Sequence, residues 1–161
     1  MGLKILHSAD WHLDSPFAGF DDSQRALLRQ EQLSIPGKTA QLCRREKCDL
    51  LLLAGDIFDG EPARETVEVL KKALSECGAR VFITPGNHDF CAPGSVWLEE
   101  NWPENVYVFT GGLEAVTIPD LNCRVYGAGY QSMDSAPLLE SFRAEGSKKY
   151  CIAVLHGDPT R

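Results

Sequence analysis

Four short segments of this 161-residue chain carry side chains able to hold a cation or move a proton. They are Asp10-Trp11-His12, Gly55-Asp56-Ile57-Phe58-Asp59, Gly86-Asn87-His88-Asp89 and His156-Gly157-Asp158. Carboxylate, imidazole and amide oxygen together suit manganese, iron or zinc, and no Cys-x-x-Cys pair offers a thiolate site. Asp10 and His12 stand two residues apart, so in extended backbone they project to one side and can grip one ion. Asp56, in a glycine-supported turn, has two carboxylate oxygens with which to bridge two ions. Two cations about 3.5–4 Å apart polarise a phosphoryl group and activate water. Asp-x-His alone is a weak signal. Gly-Asn-His-Asp is much stronger, at roughly one chance occurrence per thousand chains of this length.

Each cluster directly follows an expected strand. Leu3 to His7, Asp49 to Ala54, Ala79 to Thr84 and Tyr150 to Leu155 are short apolar runs that read as buried strands. Loops from several strands converge at the C-terminal edge of an α/β sheet, which is where such folds bind ligands. Val67, Leu70, Leu74 and Cys77 recur on one helical face, with Pro62 near its start and Gly78 just past its end. Asp22 to Lys47 is helical in tendency, with a break or kink expected at Pro36-Gly37. The strand–helix–strand order predicts parallel strands. After Gly94 the pattern changes to short strands (Val106 to Phe109, Leu113 to Ile118, Cys123 to Gly127) separated by turns, which predicts antiparallel pairing.

Composition bounds the partners. A net charge of −7 argues against a freely basic nucleic-acid binder, although bound cations would cancel part of a carboxylate cluster. No apolar run approaches the roughly eighteen residues of a membrane span, and the N-terminus reads as a strand and not as a signal peptide. The expected location is the cytoplasm. There the six cysteines are expected to be reduced and mostly buried.

The ordered set Asp10-x-His12, Gly55-Asp56-x-x-Asp59, Gly86-Asn87-His88-Asp89 and His156 resembles the calcineurin-like metallophosphoesterases. Ser8-Ala9-Asp10-Trp11-His12-Leu13 and Pro85-Gly86-Asn87-His88-Asp89 resemble the bacterial SbcD-like DNA-repair exonuclease branch in particular. The resemblance implies an α/β fold: part of a two-sheet sandwich flanked by helices, a truncated four-layer αββα arrangement. It implies Asp10 and His12 on one metal, Asp56 as the bridge, and Asn87 and His156 on the second. His88 would protonate the leaving oxygen, with Asp59 beside it. The implied cofactors are two divalent ions, manganese first, with iron or zinc as alternatives. DNA is the implied substrate, and a coiled-coil ATPase the implied partner of the full-length protein. The alternative functions are a phosphatase or phosphodiesterase on small phosphorylated substrates, and a catalytically impaired metal-binding module.

The family's downstream Gly-His-x-His motif does not occur among the four histidines. Residues 1–161 are therefore expected to form a single domain incomplete at its C-terminus. Partial metal occupancy and self-association through an uncovered sheet surface are expected with it. Plainer readings apply elsewhere. His7 is expected to be packed or supporting and not a ligand, and Trp11 and Phe58 to pack beneath the loops. Phe90 and Trp97 are core residues by default, with a groove wall as the alternative. Asp14 and Asp158 read as turn or capping residues, and Asp89 as a loop brace. Arg44, Arg45, Lys47, Lys148 and Lys149 read as solvated surface.

Overall fold

Leu50–Ala54 is a strand of five residues, all buried, and the first sheet is built around it. The computed structural model describes residues 2–134, 142–144, 146 and 148–157 of the chain. The sheet contains β1 (Ile5–Ser8), β2 (Leu50–Ala54), β3 (Arg80–Thr84) and β4 (Val106–Val108), in that spatial order. All three neighbouring pairs run parallel. Sequence pattern anticipated β2 and β3 well. β1 is instead an edge strand, with Ile5 and His7 exposed, so the expected buried run is half-solvated. β4 also departs from expectation, because it joins β3 in parallel across the α4 turn (Val96–Glu99) and not as part of a hairpin.

The helical segment between β1 and β2 is divided into α1 (Asp22–Leu33) and α2 (Ile35–Glu46). The break falls at Ser34, two residues ahead of Pro36, because proline is tolerated in the first turn of α2 but has no N–H with which to continue the α1 hydrogen-bond ladder. α1 starts with a capping box between Asp21 and Gln24, and has no buried residue. α3 (Arg64–Ser75) behaves as its periodicity requires: Val67, Leu70 and Leu74 are buried, as is Cys77 beyond its end. Gly78 then turns the chain in the left-handed region, at φ 77°.

A second sheet holds β5 (Glu114–Ile118), β6 (Cys123–Gly127) and β7 (Tyr150–Val154). β5 and β6 are antiparallel, as their turn predicts, while β6 and β7 are parallel. The side chains of β2 and β3 sort by parity. Leu51, Leu53, Val81 and Ile83 pack with the helices, Trp97 and Phe58. Leu50, Leu52 and Phe82 face Phe109, Ile118, Val125 and Val154. The helices, the first sheet and the second sheet are therefore successive layers with a core on each face of the first sheet. Gly127 lets the sheets meet Phe109 closely, since a Cβ there would fall 2.2 Å from the Phe109 ring. All six cysteines are free thiols, five of them buried and Cys151 exposed. No helix among the described residues is long and apolar enough to cross a membrane.

Leu70 is fully buried, whereas Leu27 on α1 is 61% exposed. Leu70→Ala should lower the unfolding free energy by about 2–5 kcal/mol. Leu27→Ala should change it by less than about 0.5 kcal/mol. Chemical denaturation of both variants checks the layer assignment.

Candidate metal centre

The loops after β1 and β2 continue side by side beyond the strands. Asp10 N–H donates to Gly55 O at 3.0 Å, His12 N–H to Asp56 O at 2.9 Å, and Leu13 N–H to Ile57 O at 2.8 Å. Asp59 N–H returns the pairing to Leu13 O at 2.9 Å. Asp10, His12 and Asp14 have φ of 54°, 45° and 68°, and Asp56 has φ of 50°. The expected extended backbone is thus corrected to one that alternates through the left-handed region. Such residues cost about 1–3 kcal/mol each and persist where surrounding bonds dictate them. Here the paired loops do so.

Asp56 is 4% exposed and lies at the centre. Its Oδ1 accepts the His88 amide at 3.0 Å, while its Oδ2 lies 3.4 Å from His156 Nε2 and 3.6 Å from His12 Nε2. Burial pushes this carboxyl up, but the His156 contact, the His88 amide and the charge of both imidazoles outweigh it and hold it below the ordinary range. Two groups of metal-capable side chains emerge, His12–Asp56–His88 and Asp10–Asp56–His156. Asp56 is common to both. Asp10 falls in the group with His156, and His12 in the group with His88.

Asn87 joins the second group, with Oδ1 3.1 Å from His156 Nε2. His156 Nδ1 lies 3.0 Å from Ala54 O, a bond in which Nδ1–H donates. That bond aims Nε2 at the oxygens of Asn87 and Asp56, the arrangement by which metal-binding imidazoles are oriented. A bare nitrogen lone pair facing two oxygens is repulsive, so a proton or a cation belongs between them. The donor set is mixed imidazole, carboxylate and amide oxygen, and it fits a borderline divalent ion.

Asp59 holds a second cluster. Its Oδ1 is 2.9 Å from His88 Nδ1 and 3.7 Å from His12 Nδ1, and its Oδ2 accepts from Ser15 Oγ at 2.7 Å. The Ser15 bond is the largest influence holding the Asp59 carboxyl below its ordinary value. Asp89 is the brace its position suggested. It takes Ile57 N–H and Phe58 N–H on Oδ2, at 2.9 and 3.2 Å, and Gly86 N–H on Oδ1 at 2.6 Å. Burial nonetheless pushes its carboxyl up, to about 6. Gly86 has no room for a side chain, because a Cβ would fall 2.1 Å from Asp56 Oδ1. Asp14 is a long-range cap for α3, accepting Ala63 N–H and Thr66 Oγ1–H at 2.8 Å each.

Trp11 and Phe58 pack beneath the loops as expected, and Trp11 Nε1–H donates to Ser8 Oγ at 2.7 Å. His7 is exposed and lies outside both groups, so its expected packing is corrected to a solvated edge position. Asp158 lies outside the described residues. Three contributors carry no motif signal: Ser15, Gln32, whose amide donates to His12 O, and Tyr130, whose ring is edge-on to His156 at 5.6 Å.

Residues 3–160 match the family model described as calcineurin-like phosphoesterase. The chain belongs to that family. It is similar to the metallophosphoesterase YhaO of Bacillus subtilis, with 32% identity over 96% of this chain and 40% of the relative. It is also similar to one subunit of the nuclease SbcCD of Staphylococcus epidermidis, with 31% identity over 62% of this chain and 27% of the relative. The chain thus spans less than half the length of the curated relatives it matches.

The Asp56 contact pushes His156 up to about 9, against an ordinary imidazole value of 6.5. A raised folded-state value stabilises the fold fully below the unfolded value, and the effect is lost as pH rises through the folded one. In chelator, the unfolding midpoint of the wild type should therefore fall between about pH 7 and 9.5. Asp89, with its value of about 6, is ionised across this window and adds no slope. Thermal unfolding of His156→Gln in the same buffers should show a flatter profile.

Proposed function

We propose that this domain is the hydrolytic part of a dinuclear-metal phosphodiesterase that acts on DNA ends. The observation that carries the reading is that the Asp56 carboxylate is within reach of His12 and, in a separate group, of Asp10 and His156. Asp10, His12, Asp56, Asn87 and His156 would hold the cations, with manganese the first choice and iron or zinc as alternatives. When bound, two such ions polarise phosphoryl oxygens and lower the pKa of water.

The remaining steps belong to the protein's own groups. His88 keeps Nδ1 against Asp59, so Nε2 is free to deliver its proton to the leaving oxygen as the P–O bond breaks. Ser15 fixes the other Asp59 oxygen and so keeps Oδ1 on His88. Asp89 ties the backbone after β2 to the turn after β3, which sets Asp56 against His88. Similarity to a subunit of the nuclease SbcCD supports a nucleic acid as the substrate and a place in a larger assembly. The motif resemblance to the SbcD-like branch extends this to DNA and to a coiled-coil ATPase partner. The proposed setting is the cytoplasm, and exposure of Ala115 and Thr117 on β5 and of Cys151 and Ala153 on β7 supports self-association of the domain. Similarity to YhaO is neutral between DNA and small phosphodiesters.

Hydrolysis with Mn²⁺ should be measured on end-labelled duplex DNA, bis(p-nitrophenyl) phosphate and p-nitrophenyl phosphate. The proposal expects cleavage of DNA and of the diester, with the monoester poorest. His88→Ala should lower kcat by at least about 100-fold, within the range for loss of a general acid, while Mn²⁺ binding persists. A preference for the monoester, or full activity in His88→Ala, would contradict it.

A further inference from the structure

The site does not end at His88. A groove of about 730 Å³ opens beside it, between the loop that follows β2 and the segment from Phe90 to Glu100. That volume is within the usual range for small-molecule sites. Phe90, Val67, Val96 and Trp97 give the groove apolar and aromatic lining. Trp97 is nearly fully buried and forms the floor, its Nε1–H donating to Asp89 O at 2.6 Å. Phe90 is half-buried and keeps ring surface available to a ligand.

Charge around the groove is uneven. Arg64 lines it, is exposed, and makes no ion pair among the described residues. The neighbouring Lys71 is instead held by Glu100 at 2.8 Å. Glu61 and Glu99 also line the groove and are exposed, with no described cation against them. A polyanionic strand running along this wall would meet more negative than positive charge. A single flat, mostly uncharged unit would not, and the lone guanidinium can meet one phosphate.

We infer that this groove seats one nucleoside unit of the substrate, the one joined to the leaving oxygen, with Phe90 stacking on its base and Arg64 facing the next phosphate. The inference rests on the proposed role of His88, because that proton donor defines the leaving-group side. It makes the groove a determinant of specificity, accepting one nucleoside and resisting a strand that continues past it. Base–aromatic stacking tolerates all four bases, so Phe90 would confer little sequence preference.

Binding can be read without turnover. A thymidine dinucleotide with one phosphodiester and a phosphate on each terminus should be titrated into ¹⁵N-labelled protein with Ca²⁺ in place of Mn²⁺. Amide shifts at Gly60, Arg64, Phe90 and Val96 are expected, and Phe90→Ala should weaken binding by about tenfold or more. In turnover with Mn²⁺, Phe90→Ala should raise KM for the dinucleotide by a similar factor and leave its kcat within about twofold of wild type. Glu61→Lys with Glu99→Lys should improve binding of a longer thymidine oligonucleotide. Shifts confined to other surfaces, no binding, or a loss of kcat without a rise in KM in Phe90→Ala would overturn the inference. Groove binding without hydrolysis of any diester would leave the groove standing and sink the proposed function alone.

Discussion

A carboxylate at the end of a wholly buried strand is costly unless positive charge or donors meet it, and Asp56 sits in that position, 4% exposed. Its surroundings are arranged around that demand. The His88 amide caps one oxygen, and the imidazoles of His12 and His156 approach the other. Its backbone is left-handed and its carbonyl accepts from His12, so the β1 and β2 loops are held in register through the same residue. Gly86 lacks a side chain where a Cβ would strike the Asp56 carboxylate. The first sheet supplies the rigidity. β2 is flanked by parallel strands on both sides and by a core on each face, so the position of Asp56 is fixed by packing before any ligand arrives.

The polar supports form a layer behind the metal-capable groups. Asp89 joins the loops after β2 and β3 through three amide donors, and Asp14 joins the β1 loop to the start of α3. Ser15 and Asp59 settle the orientation of His88. α1 shows the opposite condition. It buries nothing, and Gln32, through its bonds to Trp11 O and His12 O, is its polar link to the site. Local stability should follow this division, with α1 opening more readily than the elements around β2.

Much of this was legible in the sequence because the informative residues follow short apolar runs. Asp56, Asn87 and His88 could be placed at one sheet edge from β2 and β3 alone, and the helical face of α3 from Val67, Leu70 and Leu74. What could not be read was direction and partnership. β4 looks like a hairpin strand in composition, yet it runs parallel to β3, because pairing direction is set by the path of the chain and not by residue type. The grouping of Asp10 with His156 depends on left-handed backbone at Asp10 and His12, which non-glycine residues do not advertise. Ser15 and Tyr130 resemble any loop serine and tyrosine until the fold brings them to Asp59 and His156.

The central claim is that one carboxylate, Asp56, serves two cation positions. Electron paramagnetic resonance of the protein titrated with Mn²⁺ tests it directly, because ions joined through a shared carboxylate couple magnetically. The narrowed hyperfine pattern of an exchange-coupled pair should grow in as Mn²⁺ is raised to saturation. Asp56→Asn should remove this pattern while leaving the secondary structure intact. A wild-type protein that binds a single ion at saturation, or two that remain magnetically independent, would contradict the claim.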